Sequence, residues 1–337
     1  SNYNDSYFFI KRHLVFLLIG VAAFFIGFIT PHTLYKKHIG LLSVFMLSLL
    51  ILTLTPLGVK IGGAQRWLNL GFLQFQPSEL AKFVIIVFTS IALSRPKKTL
   101  THFVKGSVFL LISIAIPLAL ILMQPDLGNT GLILIVVFGL LFLSKVPLGQ
   151  LVFIGCISIV SAIGIILSNP YQKTRILSFL NPWADPLGKN YHMIQSLIAV
   201  GSGGLLGLGL GESKLKYFYL PLQYSDFIFA IICEEGGFFI AFFIVCLYTL
   251  LLIKTYMIVK KTDTIFSFYL GMGCAMLLVF QAFMNIGVVI GLLPVTGIPL
   301  TFISYGGTSL ITSLFYIGVI LNISNSIELK QYGTLTS

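Results

Sequence analysis

The sequence predicts an all-α, polytopic membrane protein, and three observations carry that prediction. Hydrophobic residues make up 57% of the 337 positions and charged residues only 9%, and the mean hydropathy is +1.00, a composition in which apolar residues far exceed what one soluble core can absorb. The apolar residues are gathered into nine stretches near 14–30, 39–55, 78–94, 106–123, 128–143, 150–167, 227–253, 265–290 and 305–323, each close to the roughly 17–25 residues that cross a hydrocarbon core as a helix. The alternation of period two that a membrane barrel requires is absent, so helices are expected to satisfy the backbone internally.

Orientation comes from the short loops. Lys36 and Lys37, then Arg95, Lys97 and Lys98, then Lys145, then Lys254, Lys260 and Lys261 fall in alternate loops, and such a bias marks the cytoplasmic side. Ser1, the stretches 56–77 and 168–226, and the loop 291–304 are then external, with the C-terminus inside. An odd number of spans with an external start leads to the expectation of one further helix before Ser1. Eight of the ten acidic residues fall at or near the external face on this topology.

The net charge of +11 does not point to nucleic acid, because the basic residues are scattered and form no arginine-rich run. Lys11, Arg12, Lys60, Arg66, Lys173, Arg175, Lys189, Lys214 and Lys216 run against the topological bias on the outer side, where they could meet an anionic ligand or lipid headgroups. For Lys173 and Lys189, a loop long enough to escape the charge rule is the competing explanation. Cys156, Cys233, Cys246 and Cys274 have no close spacing and read as small core residues rather than as a disulfide or zinc framework. His13, His32, His38 and His102 lie near helix ends and read as interfacial.

The outer segments carry the polar motifs. In Gln76-Pro77-Ser78-Glu79-Leu80-Ala81-Lys82, Ser78 is expected to cap a helix, Glu79 to sit in its first turn where the dipole favours an anion, and Lys82 to share the face of Glu79. That pair is either a structural ion pair or part of a polar cavity, and charge at membrane depth is a functional hypothesis by default. Gln124-Pro125-Asp126-Leu127-Gly128 breaks the chain, and Asp126 is expected to cap the next helix. The run Gly201-Ser202-Gly203-Gly204, continued by Gly207, Gly209 and Gly211, lacks the strand and βαβ context of a dinucleotide site and reads as close helix or loop packing against a lipid-like ligand. Asp226 opens an apolar helix from outside, a position that suits a general base, although Asp226 or Ser225 could simply cap it. Glu234 and Glu235 lie two to three turns deeper, where at least one must be paired or protonated.

The stretches GAQRWLNLG, QPSELAK, QPDLG, NPWADPLG, QSLIAVGSGG, SDFIFAIICEEGG and LLPVTGIPLTFISYGGTSL together resemble the SEDS family of bacterial cell-wall proteins, which includes FtsW, RodA and SpoVE. The match runs through the whole chain in order, so that 1–337 is expected to be a single SEDS domain with an extracytoplasmic loop at about 168–226. NPWADP and LPVTGIPL look more like the FtsW and SpoVE branch than RodA. The resemblance implies ten transmembrane helices with both termini inside, and a peptidoglycan glycosyltransferase that polymerises lipid II into glycan strands at the outer face of the cytoplasmic membrane during division or septum and cortex synthesis.

By the same resemblance the aspartate of DFIFA, here Asp226, is the essential catalytic residue, and it would deprotonate the acceptor hydroxyl. Arg66, Lys82 and Lys216 are expected to neutralise the leaving diphosphate, with Gln124 and Ser202 as further substrate contacts. Divalent cation dependence, magnesium or manganese, is implied, and Glu79 and Asp126 are its expected ligands. The implied partners are a class B penicillin-binding protein with transpeptidase activity, other divisome or elongasome proteins, and membrane lipid. Tyr224-Ser225 and Thr301 depart from the family wording without touching Asp226. A lipid II flippase and a non-catalytic divisome scaffold are the competing functions; the chain shows no obvious inverted repeat, and its acids crowd one face rather than crossing the midplane.

Overall fold

The computed structural model describes residues 8–61, 64–69, 71, 74–96, 109–144, 146–186, 188, 190–213 and 226–335. The chain divides into two compact units. The first comprises Ser1–Leu151, Leu252–Leu278 and Gly306–Ser337, and the second Val152–Leu251 and Val279–Tyr305.

The first unit opens with α1 (Phe8–Ile29), α2 (His32–Lys37) and α3 (Ile39–Leu54), continues through β1 (Gly58–Ile61), β2 (Ala64–Asn69) and β3 (Gln74–Phe75), and then runs into α4 (Pro77–Leu93), α5 (Phe109–Met123) and α6 (Leu127–Leu143). The second contains α7 (Leu148–Ser168) from Val152 onward, α8 (Pro170–Leu180), a 3-10 turn at Pro182–Ala184 and α9 (Tyr191–Ser202). Helices α10 (Ile228–Val259) and α11 (Ile265–Val289) contribute to both units, and α12 (Gly307–Leu335) returns to the first.

Among the described residues five helices are long and apolar enough to cross a bilayer, at Ile10–Ile29, Leu148–Ser168, Ile228–Val259, Ile265–Val289 and Gly307–Glu328, with shorter apolar helices at Ile39–Leu54, Leu110–Met123 and Leu127–Leu143. Their outward apolar surface, Phe238, Phe239, Phe242 and Phe243 on α10 among others, is far more than a water-soluble protein exposes. The protein is a multi-pass, mostly helical membrane protein.

Within the first unit α4 is buried along most of its length, and α1 packs against α12 through small residues: a Cβ on Gly27 would lie 2.6 Å from Phe315 O, and one on Gly318 2.2 Å from Phe24 O. Such close backbone approach is how membrane helices gain packing where hydrophobicity gives no net drive.

Several expectations change. The chain is not purely α-helical: β1, β2 and β3 form an antiparallel sheet in that order, pairing Val59 with Trp67 and Leu68 with Phe75, with an irregularity between Val59 and Lys60. Gln65 Nε2 ties the sheet to the end of α3 by donating to Thr55 O at 2.7 Å. Residues 168–226, expected as a loop, hold α8 and α9 among the described residues. Ser78 does not cap α4: Pro77 begins the helix after Gln76, and a proline there costs no hydrogen bond because that N–H position is unpaired anyway. Cys156 and Cys246 are exposed, and only Cys233 and Cys274 are core residues. His32 is buried rather than interfacial; its Nδ1 meets Asn322 Oδ1 at 2.9 Å and its Nε2 meets Ser267 Oγ at 2.8 Å.

Candidate functional site

Two polar clusters stand out, one in each unit. The first begins at the N-terminus of α4. Glu79 lies in the first turn, and Lys82 Nζ donates to Glu79 Oε1 at 2.6 Å, as the three-residue spacing predicts. The two residues are only 2% and 1% exposed. Thr312 Oγ1 on α12 donates to Glu79 Oε2 at 2.9 Å, and Tyr316 OH donates to Glu79 O at 3.2 Å. Both carboxylate oxygens are therefore engaged by donors.

The turn before α6 lies in the same unit. Asp126 caps this helix as expected, accepting from Asn129 N at 3.2 Å, while its Oδ2 accepts from Asn129 Nδ2 at 2.8 Å and Gln76 Nε2 at 3.3 Å. Arg66, on β2, donates through Nε to Gln124 O at 3.2 Å and through Nη2 to Pro125 O, and its Nε lies 3.8 Å from Asp126 Oδ2. Its side chain is 13% exposed. Gln124 is fully buried and donates to Leu50 O at 3.2 Å and Thr53 Oγ1 at 2.5 Å. Both bonds tie Gln124, expected as a substrate contact, to α3.

The expected metal ligands do not fit a divalent cation. Such an ion needs six or more oxygens with lone pairs to give. Those of Glu79 are met by an ammonium and a hydroxyl, and those of Asp126 by amides, a backbone N–H and a nearby guanidinium. Among the described residues no three His, Cys, Asp or Glu side chains group as a metal site would need.

The second cluster surrounds a break in α10. Gly237 has φ 64° and ψ −168° inside the helix, and a break at that point strands backbone groups that lipid cannot satisfy. The glycine segment after α9 satisfies four of them. Leu208 N donates to Glu234 O at 2.9 Å and Gly209 N to Glu235 O at 3.1 Å; in return Phe238 N donates to Gly204 O at 2.9 Å and Phe239 N to Leu205 O at 3.4 Å. Gly203, Gly204, Gly207 and Gly209 thus make the close helix packing expected of this run, against α10 of the protein itself. A Cβ on Gly203 would lie 1.9 Å from Cys233 O, whereas one on Gly201 would meet nothing within 4 Å. Gly203→Ala is accordingly expected to cost at least about 1–3 kcal/mol and Gly201→Ala to be tolerated, as thermal unfolding in detergent would report; equal stability of the two variants would contradict this packing.

Beside the break, Ser213 Oγ donates to Glu234 Oε2 at 2.5 Å, so that deep carboxylate is hydrogen-bonded as its burial requires. Ser202 is exposed at the end of α9, and its hydroxyl donates to Ala199 O at 2.9 Å within its own helix. Lys216 and Ser225 lie outside the described residues.

Asp226 stands in the turn before α10, partly exposed. Its backbone carbonyl accepts from Asn285 Nδ2 on α11 at 2.8 Å, and its Oδ2 faces Gly297, at 3.7 Å from where a Cβ would stand. Asn285 and the turn around Gly297 were missed by sequence reasoning; an amide inside an apolar span was the available signal. The neighbouring Phe227 stacks on His192 of α9, with ring centroids 6.3 Å apart at 26°. Burial pushes the His192 imidazole below its ordinary 6.5. The neutral ring is thus favoured in the folded state, and its stabilising contribution is complete above about pH 6.5 and lost as pH falls through the lower folded value. A melting temperature that declines on acidification, with a shallower decline in His192→Gln, is the expected result, and identical pH dependence would refute it.

Comparison with known proteins places this geometry. Residues 1–329 match the family model for FtsW, RodA and SpoVE, described as cell cycle protein. The chain is 40% identical to stage V sporulation protein E of Bacillus subtilis, over 96% of this chain and 88% of that one. It is 38% identical to the probable peptidoglycan glycosyltransferase FtsW of Coxiella burnetii, over 94% and 86%. Among solved structures, a chain from work on the coordination of polymerization and crosslinking by a peptidoglycan synthase complex matches with a TM-score of 0.79, 28% identity and coverage of 95% and 90%. The rod shape determining protein RodA of Thermus thermophilus matches with a TM-score of 0.67, 28% identity and coverage of 94% and 87%. Extending over nearly the whole sequence and fold, these matches establish that the chain belongs to the FtsW/RodA/SpoVE family of cell cycle proteins.

Proposed function

We propose that this chain is a peptidoglycan glycosyltransferase that polymerises lipid II at the outer face of the bacterial cytoplasmic membrane, with Asp226 as its general base. The glycosyltransferase reading is supported by the names of its FtsW relatives. The observation that carries the base is Asp226 itself: the residue is partly exposed while its backbone is held from α11, whereas Glu79, Asp126 and Glu234 are buried.

In the reaction the acceptor's sugar 4-hydroxyl gives its proton to the Asp226 carboxylate, and its oxygen bonds to the anomeric carbon of the donor as the bond to undecaprenyl diphosphate breaks. The base is regenerated when that proton passes on to solvent. Developing charge on the diphosphate calls for cations. Of the three expected, Lys82 is held by Glu79, Lys216 lies outside the described residues, and Arg66 keeps Nη1 outside the bonds it makes. Because Glu79 and Asp126 do not fit a metal ion, the reading carries no metal step.

The finer architecture belongs to the same proposal: one functional domain over 1–337, nine spans with Lys36, Lys37, Arg95 and Lys254 inside, and the stretch about 168–226 outside. SpoVE and FtsW relatives at 40% and 38% identity, beside 28% for RodA, support a role in division or sporulation. The synthase-complex match supports a class B penicillin-binding protein as partner. The deciding experiment supplies labelled lipid II to the full-length protein with that partner: glycan chains are expected, and their absence from a well-folded complex would shift the reading to a flippase or a scaffold.

A further inference from the structure

Asn285 sits in the apolar helix α11 and is 1% exposed. Its carboxamide nitrogen carries two N–H donors, and it meets two backbone carbonyls, Asp226 O at 2.8 Å and Ile298 O at 2.8 Å. One acceptor belongs to the peptide that carries the Asp226 carboxylate. The other comes just after Gly297, which has φ 72° and faces Asp226 Oδ2. A single side chain thus pins both the acid and the backbone opposite it.

The surrounding segment needs such support. Residues 294–300 have no regular secondary structure, so their buried carbonyls require partners from elsewhere. Gln281, one turn before Asn285 on the same face of α11, donates to Pro299 O at 3.3 Å, and Tyr248 OH donates to Thr301 O at 2.5 Å. Asn285 also holds the backbone of Asp226. Packing alone does not account for an amide here, because Asn285 Oδ1 is buried with no hydrogen-bond partner, and a leucine would fill similar space without an unpaired acceptor. The two donors account for it.

We propose that Asn285 is a positioning residue for glycan polymerisation, fixing the Asp226 carboxylate relative to the turn at Gly297 and Ile298. This rests on the reading of Asp226 as the base. Asn285 touches no reacting atom in this scheme; it acts through the two peptides it holds.

The test uses the full-length protein with its transpeptidase partner on labelled lipid II, comparing wild type, Asn285→Leu, Asn285→Asp and Asp226→Asn. Asn285→Leu is expected to lower kcat by about 10- to 100-fold with KM changed by less than about threefold, the signature of a misplaced catalytic group rather than lost binding. Asn285→Asp separates positioning from general packing, since a carboxyl donates only while protonated: its activity should fall with rising pH across a range in which wild type stays active. A stable Asn285→Leu with wild-type kcat overturns the proposal. Should Asn285→Leu fail to fold, the pH profile of Asn285→Asp decides, and one superimposable on wild type overturns it. An inactive Asp226→Asn beside fully active Asn285 variants refutes the positioning role alone, whereas an active Asp226→Asn removes the base and the positioning role together.

Discussion

Asp226→Asn should lower lipid II polymerisation by about 10²- to 10⁴-fold, the range that loss of a general base commonly costs. The substitution is nearly isosteric and leaves the backbone carbonyl that Asn285 holds. The fold and its ties to α11 should therefore persist while the proton acceptor is lost. The measurement is the initial rate of glycan-chain formation by the complex with its transpeptidase partner, alongside its thermal unfolding. A variant that unfolds like wild type and retains more than about a tenth of its rate would exclude Asp226 as the base.

The second large effect concerns stability. Lys82→Met should destabilise the protein by about 3–5 kcal/mol, because it leaves the Glu79 carboxylate deep in the protein without the ammonium 2.6 Å away. Thr312 would still donate to the other carboxylate oxygen, but a neutral hydroxyl does not compensate a buried charge. Glu79→Gln combined with Lys82→Met should recover much of the loss, since replacing both members of a buried pair by neutral groups is far cheaper than removing one. Thermal unfolding of the two single variants and the double variant in detergent gives the coupling. Strictly additive effects would show that the pair is not a unit.

What the sequence made legible was whatever local spacing or transfer energetics determines. The apolar stretches became helices because lipid leaves the backbone no other partner. The pairing of Glu79 with Lys82 stems from a three-residue offset on one turn, and the capping by Asp126 from its place between a proline and an apolar run. The rest depended on distant partners. Nothing local to His32 announces Asn322, 290 positions away, or Ser267, 235 positions away. The sheet at Gly58–Ile61 and Ala64–Asn69 is short and irregular, so its alternation was too brief to register. Nothing in the turn that carries Gln124 announces that its amide points into α3. Around Asp226, the motif marked the acid, while Asn285 and Gly297 join it only through tertiary contact.

The interlocked backbone at Gly237 has a consequence for how the chain matures. The four hydrogen bonds that close the break in α10 pair residues 204–209 with residues 234–239, so the glycine segment leaves the ribosome before the residues it must receive. Until both have emerged, the amides of Phe238 and Phe239 lack their partners. Deuterium uptake at these two amides is thus expected to report maturation: high in nascent chains whose two segments have not yet met, and low once they have.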